Sequence, residues 1–395
     1  MIRFESVSKK YPDGTVAVDE LDIVAPSGQI TVFVGPSGCG KTTSLRMINR
    51  MIEPTSGRIW LDDKDTAAFS PAELRRGIGY VIQHAGLFPH RTVLDNVATV
   101  PLLLGQNRKD ARRRAMELLE RVGLDTAFAT RYPAQLSGGQ QQRVGVARAL
   151  AADPPVMLMD EPFSAVDPVV RGQLQEEFLR LQGELGKTIV FVTHDIDEAV
   201  KLGDQVAVMR VGGKLAQLDA PSVLLTRPAD AFVAGFVGRD RGYRALGFTS
   251  AGVLPTRDEP TVRLGSDAAA AGAAAQDGWV LVVDDEGNPQ GWLEPATAAA
   301  GQIVPEQLHR GGTLATEGGS LRAALDAALS SPSGRGVVVD EAGRLIGSVT
   351  AAQVVERIDT ESAAARASAA PSTAAPKAAT TTDTPTTGAS ALRAG

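Results

Sequence analysis

A glycine-rich stretch near the N-terminus dictates the kind of domain that this chain can form. It fits the phosphate-binding pattern G-x-x-x-x-G-K-[ST] and reads Gly35-Pro36-Ser37-Gly38-Cys39-Gly40-Lys41-Thr42-Thr43. The glycines allow successive backbone N–H groups to point at phosphate oxygens, Lys41 reaches the β- and γ-phosphates, and the Thr42 hydroxyl ligates Mg²⁺. The apolar residues 30–34 predict a buried parallel strand before the loop, and residues 43–51 predict a helix after it. The stretch therefore predicts an α/β domain that binds a nucleotide.

Length and composition indicate more than one folded domain. At 395 residues the chain can form two or three domains, and its hydrophobic fraction of 43% is ample for their cores. The single cysteine, Cys39, excludes an intrachain disulfide and is compatible with a reducing compartment. The N-terminus has no signal-peptide pattern, and no apolar run approaches the roughly 18 residues of a membrane span. We therefore expect a chain that does not itself cross a membrane.

The charge distribution argues against nucleic acid as a partner. The net charge is −6, and the sequence contains no basic stripe. The arginines at positions 112–114 resemble a nucleic-acid patch when taken alone. They fall within residues 110–122, where apolar residues recur at helical spacing, so we interpret them as the solvated face of an amphipathic helix.

Charged side chains follow two further apolar runs. Asp160 and Glu161 come directly after residues 156–159, and His194 follows the run at 189–192. The carboxyl ends of parallel strands meet at one edge of a sheet, which is where ligands bind. Asp160 could hold Mg²⁺ there through a water molecule, and Glu161 could orient or deprotonate an attacking water. His194 could touch the γ-phosphate, although a single histidine is more often structural.

Two more residues are candidates on weaker grounds. Tyr11 lies beside Pro12 at a predicted strand end, where it either stacks on an adenine base or is an ordinary surface tyrosine. Gln83 follows the apolar run 78–82 and either reaches a metal or water at the active site or is a solvated strand end. Position alone does not decide between these alternatives.

The most specific feature is a five-residue segment, Leu136-Ser137-Gly138-Gly139-Gln140. It precedes a predicted helix, 141–150, whose N-terminus could face an anion. Six features occur in the order typical of an ATP-binding-cassette (ABC) ATPase: the phosphate-binding loop, Gln83, the five-residue segment, Asp160-Glu161, residues 164–167 and His194. Residues 1–238 resemble that family throughout.

The resemblance implies a fold and an assembly. The fold is a phosphate-loop cassette: a sheet with a parallel core, an antiparallel β subdomain and a helical insertion at about residues 88–150. Two cassettes would pair head to tail around two ATP molecules. Ser137 and Gly139 of one cassette would cap the γ-phosphate that Lys41 of the other contacts. Tyr11 would be the aromatic residue that stacks on adenine.

The resemblance also implies roles for individual residues. Glu161 would act on the attacking water, and His194 would position that water and the γ-phosphate. Asp167 would couple the two sites across the dimer. Gln83 would contact Mg²⁺ and link the site to a membrane subunit that docks near residues 84–89.

Two stretches narrow the resemblance within the family. Residues 47–57 and 81–90 look like those of importers of glycine betaine, carnitine, choline or proline. This likeness implies integral membrane permease subunits, an extracytoplasmic substrate-binding protein or domain, and a location on the cytoplasmic face of the cell membrane.

Three alternatives remain open at this point. The chain could be the ABC ATPase of a sugar, polyamine or sulfate importer, which would usually carry small five-stranded barrels as its extra domain. It could be a soluble ABC ATPase that acts on nucleic acid or ribosomes, which would usually have two cassettes, a coiled coil or basic arms. A nucleotide-binding regulator that hydrolyses nothing fits poorly with the presence of Asp160, Glu161 and His194.

Residues 239–360 contain an internal repeat at an offset of 56 residues. The matching segments are 282–291 and 338–347, and each predicts a strand, a turn, a strand and a helix start. The repeats span about 245–300 and 312–358. They resemble a tandem pair of cystathionine-β-synthase (CBS)-type regulatory modules, in a degenerate form.

The degeneracy affects residues that bind nucleotides in such modules. The expected aspartate is replaced by Thr297 and Gln353, and Glu294 replaces a hydroxyl residue. Residues 240–360 hold 9 basic and 16 acidic residues, a net charge of −7 that opposes contact with anionic lipid. A folded domain without a regulatory role is the alternative. Residues 361–395, rich in Ala, Thr, Ser and Pro, are predicted to be disordered.

Overall fold

The computed structural model of the chain describes residues 1–82, 86–164, 166–299 and 301–369. The chain divides into two compact units, the first comprising residues 1–248 and the second beginning at Thr249. None of the helices within the described ranges is both long and apolar enough to cross a membrane.

The first unit contains two β-sheets. Its described strands are β1 (Ile2–Lys10), β2 (Val16–Ala25), β3 (Ile30–Val34), β4 (Ser56–Leu61), β5 (Lys64–Asp65), β6 (Ile78–Val81), β7 (Val156–Asp160), β8 (Thr188–Thr193), β9 (Gln205–Arg210) and β10 (Lys214–Asp219). The smaller sheet has the order β2-β1-β4-β5 and is antiparallel. The larger sheet has the order β10-β9-β3-β8-β7-β6 and is parallel except at β10.

The burial of the strands follows from their sequences. Strands β3, β7 and β8 are nearly continuous apolar runs and every residue in them is buried, as expected for parallel strands covered on both faces. Phe4 of β1 packs against Phe33 of β3, with ring centroids 6.1 Å apart. The antiparallel sheet therefore shares a core with one face of the larger sheet.

Helices cover the larger sheet and form an insertion between β6 and β7. The described helices of this unit are α1 (Lys41–Ile48), α2 (Pro71–Arg76), α3 (Val93–Val97), α4 (Thr99–Leu103), α5 (Arg108–Arg121), α6 (Gly138–Leu150), α7 (Pro168–Leu185), α8 (Ile196–Leu202), α9 (Pro221–Thr226), α10 (Ala231–Val237) and α11 (Arg241–Ala245). Helices α3 to α6 lie within the insertion predicted at residues 88–150. On α5, Arg113 pairs with Glu117 at 2.9 Å while Ala111 and Leu119 are buried, so the arginines do lie on a solvated face.

The first unit extends ten residues past the boundary predicted at residue 238. Arg244 of α11 explains the difference, because its guanidinium lies 3.1 Å from a carboxylate oxygen of Asp197 on α8. The same side chain donates a hydrogen bond to the Val237 carbonyl oxygen at 3.1 Å, and α11 packs against α9. The boundary at residue 238 is therefore corrected to residue 248.

The second unit is built from two similar halves. Its described strands are β11 (Thr261–Arg263), β12 (Val280–Val283), β13 (Pro289–Leu293), β14 (Ala315–Thr316), β15 (Arg335–Val339) and β16 (Leu345–Thr350), and its helices are α12 (Ala268–Ala274), α13 (Leu321–Ser330) and α14 (Ala351–Ala369). Each half forms a three-stranded sheet, β11-β12-β13 or β14-β15-β16. In each, two parallel strands joined through a helix are followed by an antiparallel hairpin, in agreement with the sequence repeat.

The two halves differ from the prediction after their last strands. Only a turn at residues 295–297 follows β13, so the helix start predicted for the first repeat does not form. The sequence from Ala296 to Gly301 offers no apolar side chain larger than alanine to hold a helix against the sheet. Helix α14 continues to Ala369, so the predicted disorder is wrong for residues 361–369, where alanine favours a helix.

We expect Gly336→Ala to destabilise the second unit, because helix α13 packs directly on β15 at this residue. A Cβ atom on Gly336 would lie 2.5 Å from the Ala328 backbone nitrogen. Overpacking of this kind costs on the order of 1–3 kcal/mol. The measurement is the urea midpoint from tryptophan fluorescence, since Trp279 and Trp292 lie in this unit. Gly311→Ala, where nothing lies within 4 Å, is the control; equal midpoints for the two variants would contradict the expectation.

Candidate functional site

The phosphate-binding loop connects β3 to α1, as its sequence predicts. Gly40 precedes α1 in the left-handed region with φ 90°, and a Cβ atom there would lie 2.2 Å from the Ala17 carbonyl oxygen. Only glycine fits such a position without displacing the neighbouring backbone. The loop lines a cleft of ≈ 400 Å³ whose described lining is Thr15, Val16, Ala17, residues 37–43 and Glu161.

Lys41 is held inside the loop by backbone carbonyl groups. Its side chain is buried, with the residue 7% exposed, and its Nζ donates hydrogen bonds to the oxygens of Gly35 at 2.7 Å and Pro36 at 3.1 Å. Helix α1 begins at this same residue. The loop thus brings a cation and the positive end of a helix dipole to one cleft, which favours an anion.

The strand register brings the other predicted residues to the same edge of the sheet. Val34, the last residue of β3, pairs with Thr193, the last residue of β8. Asp160, the last residue of β7, pairs with Val192 of β8. Glu161 and His194 each follow one of these strand ends, so the chain leaves all three strands beside the phosphate-binding loop.

Asp160 and Thr42 form a pair suited to a hard cation. The Thr42 hydroxyl donates a hydrogen bond to Asp160 Oδ1 at 2.9 Å, and the Arg46 guanidinium lies 3.8 Å from Oδ2. Burial raises the pKa of Asp160 above its ordinary value, against the lowering effects of the Thr42 hydrogen bond and Arg46. Hydroxyl and carboxylate oxygens are the ligands that Mg²⁺ prefers, so this pair fits a magnesium ion.

Glu161 and His194 lie in direct contact. His194 Nδ1 is 3.1 Å from Glu161 Oε2, and the histidine ring is exposed. The Glu161 backbone N–H donates a hydrogen bond to the Val192 carbonyl oxygen at 2.9 Å, and the residue adopts the left-handed region with φ 46°. The Ser164 hydroxyl donates to the Glu161 carbonyl oxygen at 2.9 Å. The turn after β7 therefore directs the carboxylate of Glu161 into the cleft.

The remaining predicted residues lie elsewhere. Ser137 caps α6, where its hydroxyl accepts a hydrogen bond from the Gln140 N–H while the Gln140 side chain accepts one from the Ser137 N–H. Asp167 caps α7 by accepting a hydrogen bond from the Val169 N–H at 3.0 Å. In the described part of the chain, neither residues 136–140 nor Asp167 line the cleft around Lys41.

The sequence predicts that Tyr11 contacts adenine and that Gln83 contacts Mg²⁺ in the same chain. Tyr11 is not among the described residues that line the cleft, and Lys9 Nζ lies 5.4 Å from the centroid of its ring. Gln83 lies outside the described residues, as do positions 84 and 85 of the predicted docking segment.

Sequence reasoning missed two parts of the site. Thr15 immediately precedes β2 and Val16 and Ala17 begin it; these three residues line the cleft, and no motif marks them. Arg46 faces Asp160 from one turn along α1, four residues after Thr42. The spacing of Arg46 from Thr42 could have indicated a shared helix face, but only the strand register shows that Asp160 faces it.

We expect Asp160→Asn to raise stability at neutral pH. The pKa of Asp160 is raised, so the folded state binds this proton more tightly than the unfolded chain, and ionisation of the carboxyl lowers stability. That cost is present at neutral pH and disappears below the ordinary pKa of 3.8, where both states are protonated. Asparagine resembles the protonated carboxyl. The urea midpoint of the variant should exceed that of the parent at pH 7 and approach it as the pH falls to about 4; a difference that does not depend on pH would contradict this account.

Three comparisons with known proteins bear on the site. The sequence profile of the family described as ABC transporter matches residues 18–164. The choline transport ATP-binding protein OpuBA of Bacillus subtilis is 42% identical over 369 residues, which are 90% of this chain and 96% of that protein. The osmoprotectant import ATP-binding protein OsmV of Salmonella typhimurium is 42% identical over 361 residues, 89% of this chain and 94% of that one.

Other matches cover a smaller part of the chain. The carnitine transport ATP-binding protein OpuCA of Listeria monocytogenes is 53% identical over 241 residues, which are 61% of this chain and 60% of that protein. A solved dimeric ATP-binding cassette in a post-hydrolysis state, bound to ADP and phosphate, is 34% identical with a TM-score of 0.51; the match covers 56% of this chain and 99% of that one. The predicted cassette fold is confirmed, and the chain belongs to the ABC transporter family.

Proposed function

We propose that this chain hydrolyses ATP to energise import of a quaternary amine or a related compatible solute through partner membrane subunits. The observation that carries the ATPase part is the contact between Glu161 and His194, at 3.1 Å, beside the cleft of the phosphate-binding loop. The substrate class follows from the choline, carnitine and osmoprotectant relatives, two of which align along almost their whole length.

The loop binds the phosphates of ATP. Backbone N–H groups of residues 37–43 and the Lys41 ammonium would contact phosphate oxygens, and Thr42 with Asp160 would hold Mg²⁺, Asp160 through a water molecule. When bound there, Mg²⁺ would supply positive charge that offsets the negative charge of the β- and γ-phosphates. The hydrogen bond between Thr42 and Asp160 places their oxygens side by side, as two ligands of one cation require.

Glu161 activates the attacking water. Its carboxylate lines the cleft at the edge of the sheet, where it accepts a proton from water that approaches the γ-phosphate. His194 contacts the same carboxylate and orients both the water and the γ-phosphate. The strained backbone at Glu161 serves this geometry, because it turns the chain sharply after β7.

One chain supplies only part of this site. Ser137, Gly138, Gly139 and Gln140 begin α6 away from the cleft formed by their own chain. In a head-to-tail homodimer, the N-terminus of α6 would cap the γ-phosphate bound to the partner, and Asp167 would couple the two sites. The dimeric form of the solved cassette supports this arrangement. Tyr11 completes the site by stacking on adenine.

The further partners are integral membrane permease subunits and an extracytoplasmic substrate-binding protein or domain. The permeases would dock near Gln83 and residues 84–89 and hold the chain at the cytoplasmic face of the membrane. The second unit would serve as a regulatory CBS-type pair, whose nucleotide-binding aspartates are replaced by Thr297 and Gln353. Relatives named for choline, carnitine and osmoprotectants favour this function over sugar, polyamine or sulfate import and over an action on nucleic acid.

We expect Glu161→Gln to abolish turnover while ATP binding remains. Glutamine keeps the shape of the side chain but cannot accept the proton, so the ATPase rate should fall by at least about 100-fold. With hydrolysis blocked, ATP should hold two cassettes together as a dimer, detected by size-exclusion chromatography with ADP as the control nucleotide. Hydrolysis at the parental rate would refute the role of Glu161.

The transported substrate can be identified from ATPase stimulation in the complete complex. We expect glycine betaine, choline, carnitine or proline, offered to the chain reconstituted with its permease and binding partners, to raise the ATPase rate. Maltose and spermidine are the controls. Stimulation by either control alone would overturn the substrate class and leave the ATPase mechanism standing.

A further inference from the structure

A buried glutamate connects the two turns that carry His194 and Asp167. Glu198 lies on α8 and is 6% exposed. Its Oε2 accepts a hydrogen bond from the Thr193 hydroxyl at 2.7 Å, and its Oε1 accepts one from Gln175 Nε2 on α7 at 3.2 Å. Thr193 and Gln175 are themselves buried. Since Thr193 precedes His194 and α7 begins after Asp167, one carboxylate holds both elements.

A second series of contacts, through Arg171 and Asp195, links the same two turns. The Arg171 guanidinium donates a hydrogen bond to the Val166 carbonyl oxygen at 3.1 Å and lies 4.0 Å from a carboxylate oxygen of Asp195. The Asp195 backbone N–H in turn donates to the Thr193 hydroxyl at 3.0 Å. The Thr193 hydroxyl therefore joins both connections, accepting from Asp195 and donating to Glu198.

Stability alone does not explain an acidic residue at this position. Burial raises the pKa of Glu198, against the lowering effects of the hydrogen bonds from Thr193 and Gln175. Two uncharged donors compensate a buried carboxylate less well than a cation would, and apolar side chains of similar size often serve stability as well or better. What the carboxylate supplies is direction, because each of its two oxygens fixes one donor on a different element.

We propose that Glu198 is a positioning residue for ATP hydrolysis, which sets His194 relative to the turn at Asp167. This inference rests on the proposed roles of Glu161, His194 and Asp167. Asp167 would face the partner cassette, so a displacement of α7 on dimer closure would pull on Gln175. Glu198 would transmit this displacement from Gln175 to Thr193. The contact between His194 and Glu161 would then depend on whether the dimer is closed.

The test uses two isosteric variants that each remove one donor, in the full chain assembled with its transporter partners. Thr193→Val removes the hydrogen bond between Glu198 and β8, and Gln175→Leu removes the one between Glu198 and α7. Displacement of a catalytic group by about 1 Å can cost about 100-fold, so we expect kcat for ATP to fall by roughly 10- to 100-fold in each variant. KM for ATP should stay within about two-fold of the parent, because the phosphate-binding loop is unchanged.

Two further variants separate positioning from simple destabilisation. Thr193→Ser keeps the hydroxyl and should restore kcat. Glu176→Ala is the matched control, since Glu176 is an exposed carboxylate on α7 that pairs with Lys201 of α8 at 3.7 Å, and its rate should equal that of the parent. The double variant Thr193→Val/Gln175→Leu should lose no more activity than the worse single variant, because Thr193→Val already cuts the connection that Gln175→Leu interrupts.

Three outcomes would overturn the inference. These are parental kcat in Thr193→Val or Gln175→Leu, equal losses in Thr193→Val and Thr193→Ser, or multiplication of the two single losses in the double variant. Failure of the proposed mechanism has a different signature, which is parental hydrolysis by Glu161→Gln. The two failures are therefore distinguishable in one set of assays.

Discussion

The register of three parallel strands is the constraint on which the site depends. Because β3, β7 and β8 end at the same edge of the sheet, residues far apart in the sequence become neighbours around the phosphate-binding loop. A slip of one residue would turn every side chain of a strand to the opposite face. Both faces of these strands are buried in a close-packed core, so a slip would force side chains of different sizes into one another's places. The packed core therefore determines which residues lie together around the phosphate-binding loop.

The same constraint explains which parts of the molecule were predictable from sequence. The common location of the loop, Asp160, Glu161 and His194 could be predicted, because each follows an apolar run and parallel strands bring such positions together. The cassette fold and its helical insertion were implied by the resemblance to ABC ATPases, which rests on the order of the motifs. The 56-residue repeat likewise indicated the two similar halves of the second unit.

What sequence could not show depends on packing between distant segments. Arg46 faces Asp160 and Glu198 bridges Thr193 and Gln175, contacts that exist only once helices pack on the sheet. One predicted helix failed for a related reason. The helix expected after β13 is absent because that segment has few apolar side chains to bury against the sheet. Composition also misled at residues 361–369, since alanine is typical both of low-complexity tails and of helices.

The hydrogen bonds of Lys41 bear on how tightly a nucleotide can bind. The ammonium group is bonded to the carbonyl oxygens of Gly35 and Pro36, so an incoming phosphate exchanges partners with the lysine and does not find it free. Only the difference between the old and new bonds contributes to affinity. For the ATPase proposed above, which would release ADP in every cycle, a lysine with its own backbone partners can let the product go without leaving a buried charge unsatisfied.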